Sequence, residues 1–316
     1  MTRRDFLLCS GAALAVPWSA ARSQGPRKGG RAFTLNLVCG AIGVTAKTQA
    51  EVNALAHRHG FESVEARAEE LSRMTPDELS ALLDDMGAKG LVFGAAFLPN
   101  GTRPDAPTFD EEIRKLPALA VGLRRAGVTR IGTWISPGSD THTYLQNFRR
   151  HVERVGEIAR ILDGEGVRLG LEYIGTPTLR RKPRHAFIHT MAEMKELLEA
   201  VTPKNVGFIL DSWHWYTAGE GEAEIMSLKP SDIIAVDLND APAGVPVDEQ
   251  IDSRRELPAT TGVIDMATFI TALARIGYDG PARAEPFNAA LNAMENDEAC
   301  AATIEALRRA VAMIRT

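Results

Sequence analysis

Several β-rich runs in this chain are apolar at consecutive positions, not alternate ones, and Val206-Gly207-Phe208-Ile209-Leu210 is the clearest. A strand patterned this way has no solvent face, so it belongs in a parallel sheet covered on both sides. Short runs of this kind recur at 33–38, 63–66, 91–97, 130–135, 168–173, 206–211, 233–238 and 282–285. Between them, apolar spacings of three and four mark helices at 48–59, 75–86, 144–162, 190–200 and 297–314. Thr75-Pro76-Asp77-Glu78 reads as N-cap, first-turn proline and acidic first turn; Gly60, Gly87 and Gly127 are expected to end the helices before them. Eight strand–helix units within residues 31–316 predict an α/β chain folded as a single-domain (β/α)8 TIM barrel. A doubly wound open sheet is the competitor. Against it, no Gly-x-Gly-x-x-Gly follows the first strand and no composition break marks a second domain.

The first thirty residues read as a leader, not as fold. Thr2-Arg3-Arg4-Asp5-Phe6-Leu7-Leu8 is a twin-arginine motif, and a weakly apolar stretch from Leu7 to Val16 follows it. Ser19-Ala20-Ala21 and Ala21-Arg22-Ser23 both fit a small-x-small cleavage site, so residues 1–30 are expected to direct export to the periplasm and to be cleaved near 21–24. The apolar stretch falls well short of the ~20 residues of a membrane span, so no stable membrane association is expected. A net charge of -5 gives no electrostatic reason to expect a nucleic-acid partner. Cys9 lies in the leader; Cys39 and Cys300 are expected as two buried thiols more than as a disulfide. Composition leaves a homo-oligomer open.

In a barrel of this kind, reactive groups sit at the C-terminal ends of the strands. Here four successive runs end in an acid after apolar residues: Glu172, Asp211, Asp237 and Glu285. A carboxylate ending one buried strand is commonly a helix cap, but four converging on one mouth repel one another unless a cation neutralises them. The pattern therefore predicts a divalent-metal site. Its oxygen-rich donors favour Mn²⁺, with Mg²⁺, Co²⁺ and Zn²⁺ as alternatives. His214, three residues past Asp211, is placed to turn back toward the same mouth. Glu65, Trp134, Trp213 and Arg254 complete the expected substrate contacts, and Trp215, Tyr216 and the basic loop 180–185 lie near the same rim.

The ordered set Gly60-Phe61-Glu62-Ser63-Val64-Glu65, Leu171-Glu172, Leu210-Asp211-Ser212-Trp213-His214, Leu257-Pro258 with Gly262-Val263-Ile264-Asp265, and Gly277-Tyr278-Asp279-Gly280-Pro281 with Glu285-Pro286 resembles the xylose-isomerase-like superfamily of sugar isomerases and epimerases. The resemblance covers almost the whole chain after the leader. It implies a metal-dependent TIM barrel in which Glu172, Asp211 and Glu285 bind the metal beside His214. One departure concerns the seventh strand, where epimerase-like members usually carry His-x-x-Asp and this chain has Asp237-Leu238-Asn239-Asp240. An arginine that several of them place shortly afterwards is also absent: Ala243 stands there, with Arg254 or Arg255 left to substitute.

The chemistry expected is proton transfer on a sugar or keto-sugar through an enediolate, with Glu172 and Glu285 as base and acid. The alternative is a lyase or hydrolase that cleaves a 3-keto-glycoside by β-elimination in the same site. Export favours an unphosphorylated carbohydrate. A DNA-repair enzyme on the same barrel would need more histidine ligands and a basic face. A non-catalytic carbohydrate-binding barrel would have no reason to gather four acids.

Overall fold

The structure is a computed structural model that describes residues 30–315; the expected leader lies outside the described residues except for Gly30. Eight parallel strands close on themselves: β1 Thr34–Leu37, β2 Ser63–Ala66, β3 Val92–Phe97, β4 Arg130–Trp134, β5 Arg168–Glu172, β6 Val206–Asp211, β7 Ile233–Leu238 and β8 Pro281–Ala284. Each pairs with its sequence neighbours, and β8 pairs with β1 to shut the barrel. All eight strands fall where the apolar runs put them, to within about one residue at each end. Trp134 pairs with Glu172, Asp211 with Asp237, and Asp237 with Arg283.

The helices form for the reasons visible in the sequence. Thr48 caps Gln49–His59 by accepting from the Glu51 N–H at 3.2 Å, and Thr75 and Glu78 form a reciprocal capping box ahead of Pro76–Ala88. Gly60 (φ 77°) and Gly127 (φ 73°) terminate helices as expected. Gly87 does not: Pro76–Ala88 runs through it, and Gly90 takes the left-handed conformation (φ 66°) instead. The return hydrogen bond from the Leu91 N–H to the Met86 carbonyl, 2.9 Å, sets the stop three residues later than the sequence suggests.

Inside the barrel, two glycines make room for the filling side chains. A Cβ on Gly132 would come within 2.4 Å of Ile209 Cδ1, and one on Gly170 within 2.9 Å of Ile209 Cγ1. Ile209 therefore fills the centre with Ala95 and Ala235. Cys39 and Cys300 are buried, free thiols, and burial pushes them up to about 12 and about 11. A two-residue antiparallel ribbon of Gly138–Ser139 with His185–Ala186, which no strand pattern in the sequence marks, ties the basic loop to the rim after β4. Among the described residues no helix is long and apolar enough to cross a membrane.

Candidate active site at the barrel mouth

The four acids do converge. Glu172, Asp211, Asp237 and Glu285 each offer a carboxylate oxygen, and these oxygens lie within 4.8 Å of one another; His214 groups with Glu172 and Asp211 in the same way. Strand register produces this, because adjacent parallel strands put Asp211 level with Asp237.

Two arginines enter the cluster. Arg255 Nη1 donates to Asp211 Oδ2 at 2.8 Å and lies 3.4 Å from Glu285 Oε2, while its Nη2 donates to Asp252 Oδ1 at 2.8 Å. Arg283 grips Asp237 in a two-pronged pair through Nε and Nη2, and Nη2 also donates to Glu285 Oε1 at 3.1 Å. Both guanidiniums are nearly inaccessible, at 1 % and 6 % side-chain exposure.

Arg255, not Arg254, is the arginine that reaches the mouth. Asp240 explains the choice. Its side chain accepts the N–H groups of Ala241, Thr260, Thr261, Gly262 and Ile264 at 2.8–3.1 Å, which folds the 241–264 loop over the barrel. A backbone bridge between Asp240 and Glu256 then fixes the register, and the Arg255 N–H bonds the Pro286 carbonyl at 3.1 Å. Neighbouring side chains in extended backbone face opposite ways, so Arg255 points in and Arg254 stays exposed.

Asp211 is both a helix cap and a cluster member. Its Oδ1 accepts from the Trp213 N–H at 2.7 Å and from Asn239 Nδ2 at 2.8 Å, leaving Oδ2 to Arg255. Glu172 is different, since its Oε1 is buried and makes no hydrogen bond. Burial and then the charges of Glu285, Asp211 and Asp237 push its carboxyl well above the usual range. Burial also raises Glu285 to about 8 and Asp211 to about 6, against the pull of the arginines. Two guanidiniums face five carboxylates, counting Asp252, so the excess negative charge needs protons or a cation. His214 Nε2 lies 3.9 Å from both Glu172 and Asp211; burial, reinforced by Arg255, lowers it to about 3, which leaves a neutral imidazole at pH 7.

The other half of the mouth is a cavity of about 530 Å³ whose lining includes Glu65, Phe97, Asn100, Thr133 and Trp134, inside the roughly 300–1,000 Å³ usual for small-molecule sites. Trp134 is 38 % exposed and lies level with Glu172. Its other face is covered by Arg103, 3.4 Å from the ring centroid, which Asp105 pins at 2.8 Å. Glu65 is half-buried at this cavity, and burial raises its carboxyl despite Arg283 and Arg67. Trp213 faces the wrong way for stacking on a ligand: it is fully buried and its Nε1 donates to Thr176 Oγ1 at 2.8 Å. Trp215 is buried against Phe269. A second cavity of about 510 Å³, between Thr178 and Lys182 on one side and Asp248 and Ser253 on the other, reaches the cluster through Asp252.

Comparison with known proteins is decisive for the family. The xylose isomerase-like TIM barrel family matches residues 54–310. The chain belongs to that family. Among curated members, the inosose isomerase of Bacillus subtilis (strain 168) is 30 % identical over 142 residues, 43 % of this chain and 46 % of that protein. The chain spans about half the length of the curated relatives it matches. A xylose isomerase domain protein from Alicyclobacillus acidocaldarius subsp. acidocaldarius superposes with a TM-score of 0.76 at 27 % identity, covering 89 % of this chain and 99 % of that one. An IolI protein with a bound zinc atom superposes at 0.71 with 18 % identity, over 89 % and 98 % of the two chains.

Proposed function

We propose that this family member is a divalent-metal-dependent isomerase or epimerase that moves a proton on a free sugar or keto-sugar. The observation that carries the reading is the acid quartet, in which two arginines leave negative charge uncompensated and the buried Glu172 Oε1 has no partner. The donor set fits a hard cation, Mn²⁺ or Mg²⁺ before Zn²⁺; Glu172, Asp211 and Glu285 would hold it, with His214 alongside. The zinc in the IolI relative and the isomerase activity named for the Bacillus relatives support the same class.

A divalent ion held there supplies Lewis acidity toward a substrate oxygen and so acidifies the neighbouring C–H. The chain's own groups do the rest. Glu172 ends β5 and Glu285 follows β8, so a substrate at the cluster meets both, one to remove a carbon-bound proton and the other to return one to the opposite face or the adjacent carbon. Arg255 keeps Asp211 oriented, and the neutral His214 beside them does not compete for that proton. Trp134 and Glu65 would hold the rest of the sugar, ring face against indole and hydroxyls against the carboxyl. The cavity beside Trp134 also favours a second reading, in which a keto-glycoside loses its aglycone by β-elimination from the same enediolate.

We further assign the protein to the periplasm on its twin-arginine motif, which favours unphosphorylated substrates. Incubating the chain with Mn²⁺ and a set of free aldoses, ketoses and 3-keto-glycosides in D₂O tests the function. Deuterium at the reacting carbon of the product, lost in Glu285→Gln, is expected. Full retention of the original hydrogen would replace proton transfer by a hydride shift, and no turnover of any sugar would remove the reading.

A further inference from the structure

Asp237 stands where epimerase-like relatives usually carry a histidine, yet both of its oxygens are already engaged. Arg283 Nε reaches Oδ1 and Nη2 reaches Oδ2 at 2.7 Å, in a pair where Asp237 is 0 % and Arg283 5 % exposed. The fork is fixed from outside as well: Nη2 donates to Glu285 Oε1 at 3.1 Å, and the guanidinium lies 4.1 Å from the Phe97 ring centroid. Among the cluster acids Asp237 is the one gripped by both prongs of a single guanidinium: Arg255 reaches Asp211 through Oδ2 only, and Glu172 Oε1 is buried and unpaired. Bringing a divalent ion onto Asp237 means either breaking a two-pronged buried ion pair or holding a guanidinium against the ion, and like charges in a desolvated site repel strongly.

We propose that Asp237 is not a ligand of the ion: the Asp237–Arg283 pair takes the place of the fourth protein ligand, and Glu172, Asp211 and Glu285 hold the metal alone. This rests on the metal reading above. Asp237 is then a positioning residue whose work is to fix Arg283. Arg283 Nη1 makes no hydrogen bond among the described residues, and Phe97 beneath the guanidinium also lines the Trp134 cavity. A fixed positive charge thus stands between the acid cluster and that cavity. A three-carboxylate ion leaves one more position to water or to substrate oxygens than a four-carboxylate one.

Mn²⁺ titration of the chelator-stripped full chain, followed by electron paramagnetic resonance, tests this without any substrate. Arg283→Met frees Asp237 as a fourth carboxylate and removes a competing cation, so binding tightens by about tenfold or more. The double variant Asp237→Asn/Arg283→Met removes the pair at no net change in charge and returns affinity to within about threefold of wild type. If Asp237 ligates, the double variant loses a ligand and binds at least about tenfold more weakly than wild type, and that result would overturn the proposal. Should the double variant misfold by circular dichroism, ¹⁷O-water broadening on the wild type decides, with about three bound waters expected on a six-coordinate ion and about two if Asp237 ligates. A folded wild type that binds no Mn²⁺ would overturn the metal reading itself.

Discussion

Arg255→Met should make the metal-free protein markedly less stable, and metal should restore most of the loss. The substitution keeps an unbranched stem between Trp213 and Phe287, whose rings lie 5.2 and 4.7 Å from the guanidinium, so little packing is lost. What disappears is the 2.8 Å partner of Asp211, which is 1 % exposed, and that of Asp252. Removing one side of a buried ion pair costs about 3–5 kcal/mol, because the other side stays buried and uncompensated. An unfolding entropy of about 2.1 cal/mol/K per residue over residues 30–315 amounts to ~0.6 kcal/mol/K, so Tm should fall by about 5–8 °C. A cation that binds only the folded chain restores about 2.7 kcal/mol at a hundred times its Kd, and losing a neighbouring positive charge should tighten that binding further. Scanning calorimetry in chelator and then in Mn²⁺ reads both effects. An unchanged Tm in chelator, or a smaller Mn²⁺ shift in the variant than in wild type, would show that Arg255 does not offset the acids.

Other outcomes follow from the same site. Burial raises Glu285 from 4.5 to about 8 and Asp211 from 3.8 to about 6, so the folded chain holds more protons than the unfolded one between those values. Stability of the chelated protein is therefore full below about pH 4 and falls as pH rises toward 8; urea unfolding at pH 5, 6.5 and 8 should show the decline, and Mn²⁺ should flatten it. Trp134 is the exposed tryptophan of the described residues, with Trp213 at 0 % and Trp215 at 5 %. Iodide should quench its fluorescence, Trp134→Phe should remove that quenchable fraction, and a bound sugar should protect it. Quenching that no sugar alters would speak against the Trp134 cavity as a substrate site. Arg3→Lys/Arg4→Lys should hold the protein in the cytoplasm, and an unchanged periplasmic fraction would refute the export reading.

The barrel was legible because its signals are local. A run such as Val206–Asp211 carries its double-faced burial in consecutive residues, and an acid closing such a run is placed at the mouth by strand direction alone. What the sequence did not resolve depends on contacts between distant segments. Choosing Arg255 over Arg254 requires the Asp240–Glu256 bridge, across a loop whose path is dictated by five N–H bonds to one aspartate. Trp213 follows the cluster aspartate directly, yet the short helix Ser212–Ala218 turns its indole into the core. Arg283 left a readable trace: a lone arginine between alanines in a strand read as buried needs an acidic partner, and Asp237 on the neighbouring strand supplies it.

Calorimetric titration of Mn²⁺ into the chelator-stripped chain asks whether the acids at the mouth gather around a divalent cation. About one ion per chain is expected for the wild type. Replacing Glu172 and Glu285 together by glutamine keeps the fold, relieves the charge crowding and should abolish that binding. Equal affinity in wild type and Glu172→Gln/Glu285→Gln, or no binding to either folded protein, would contradict it.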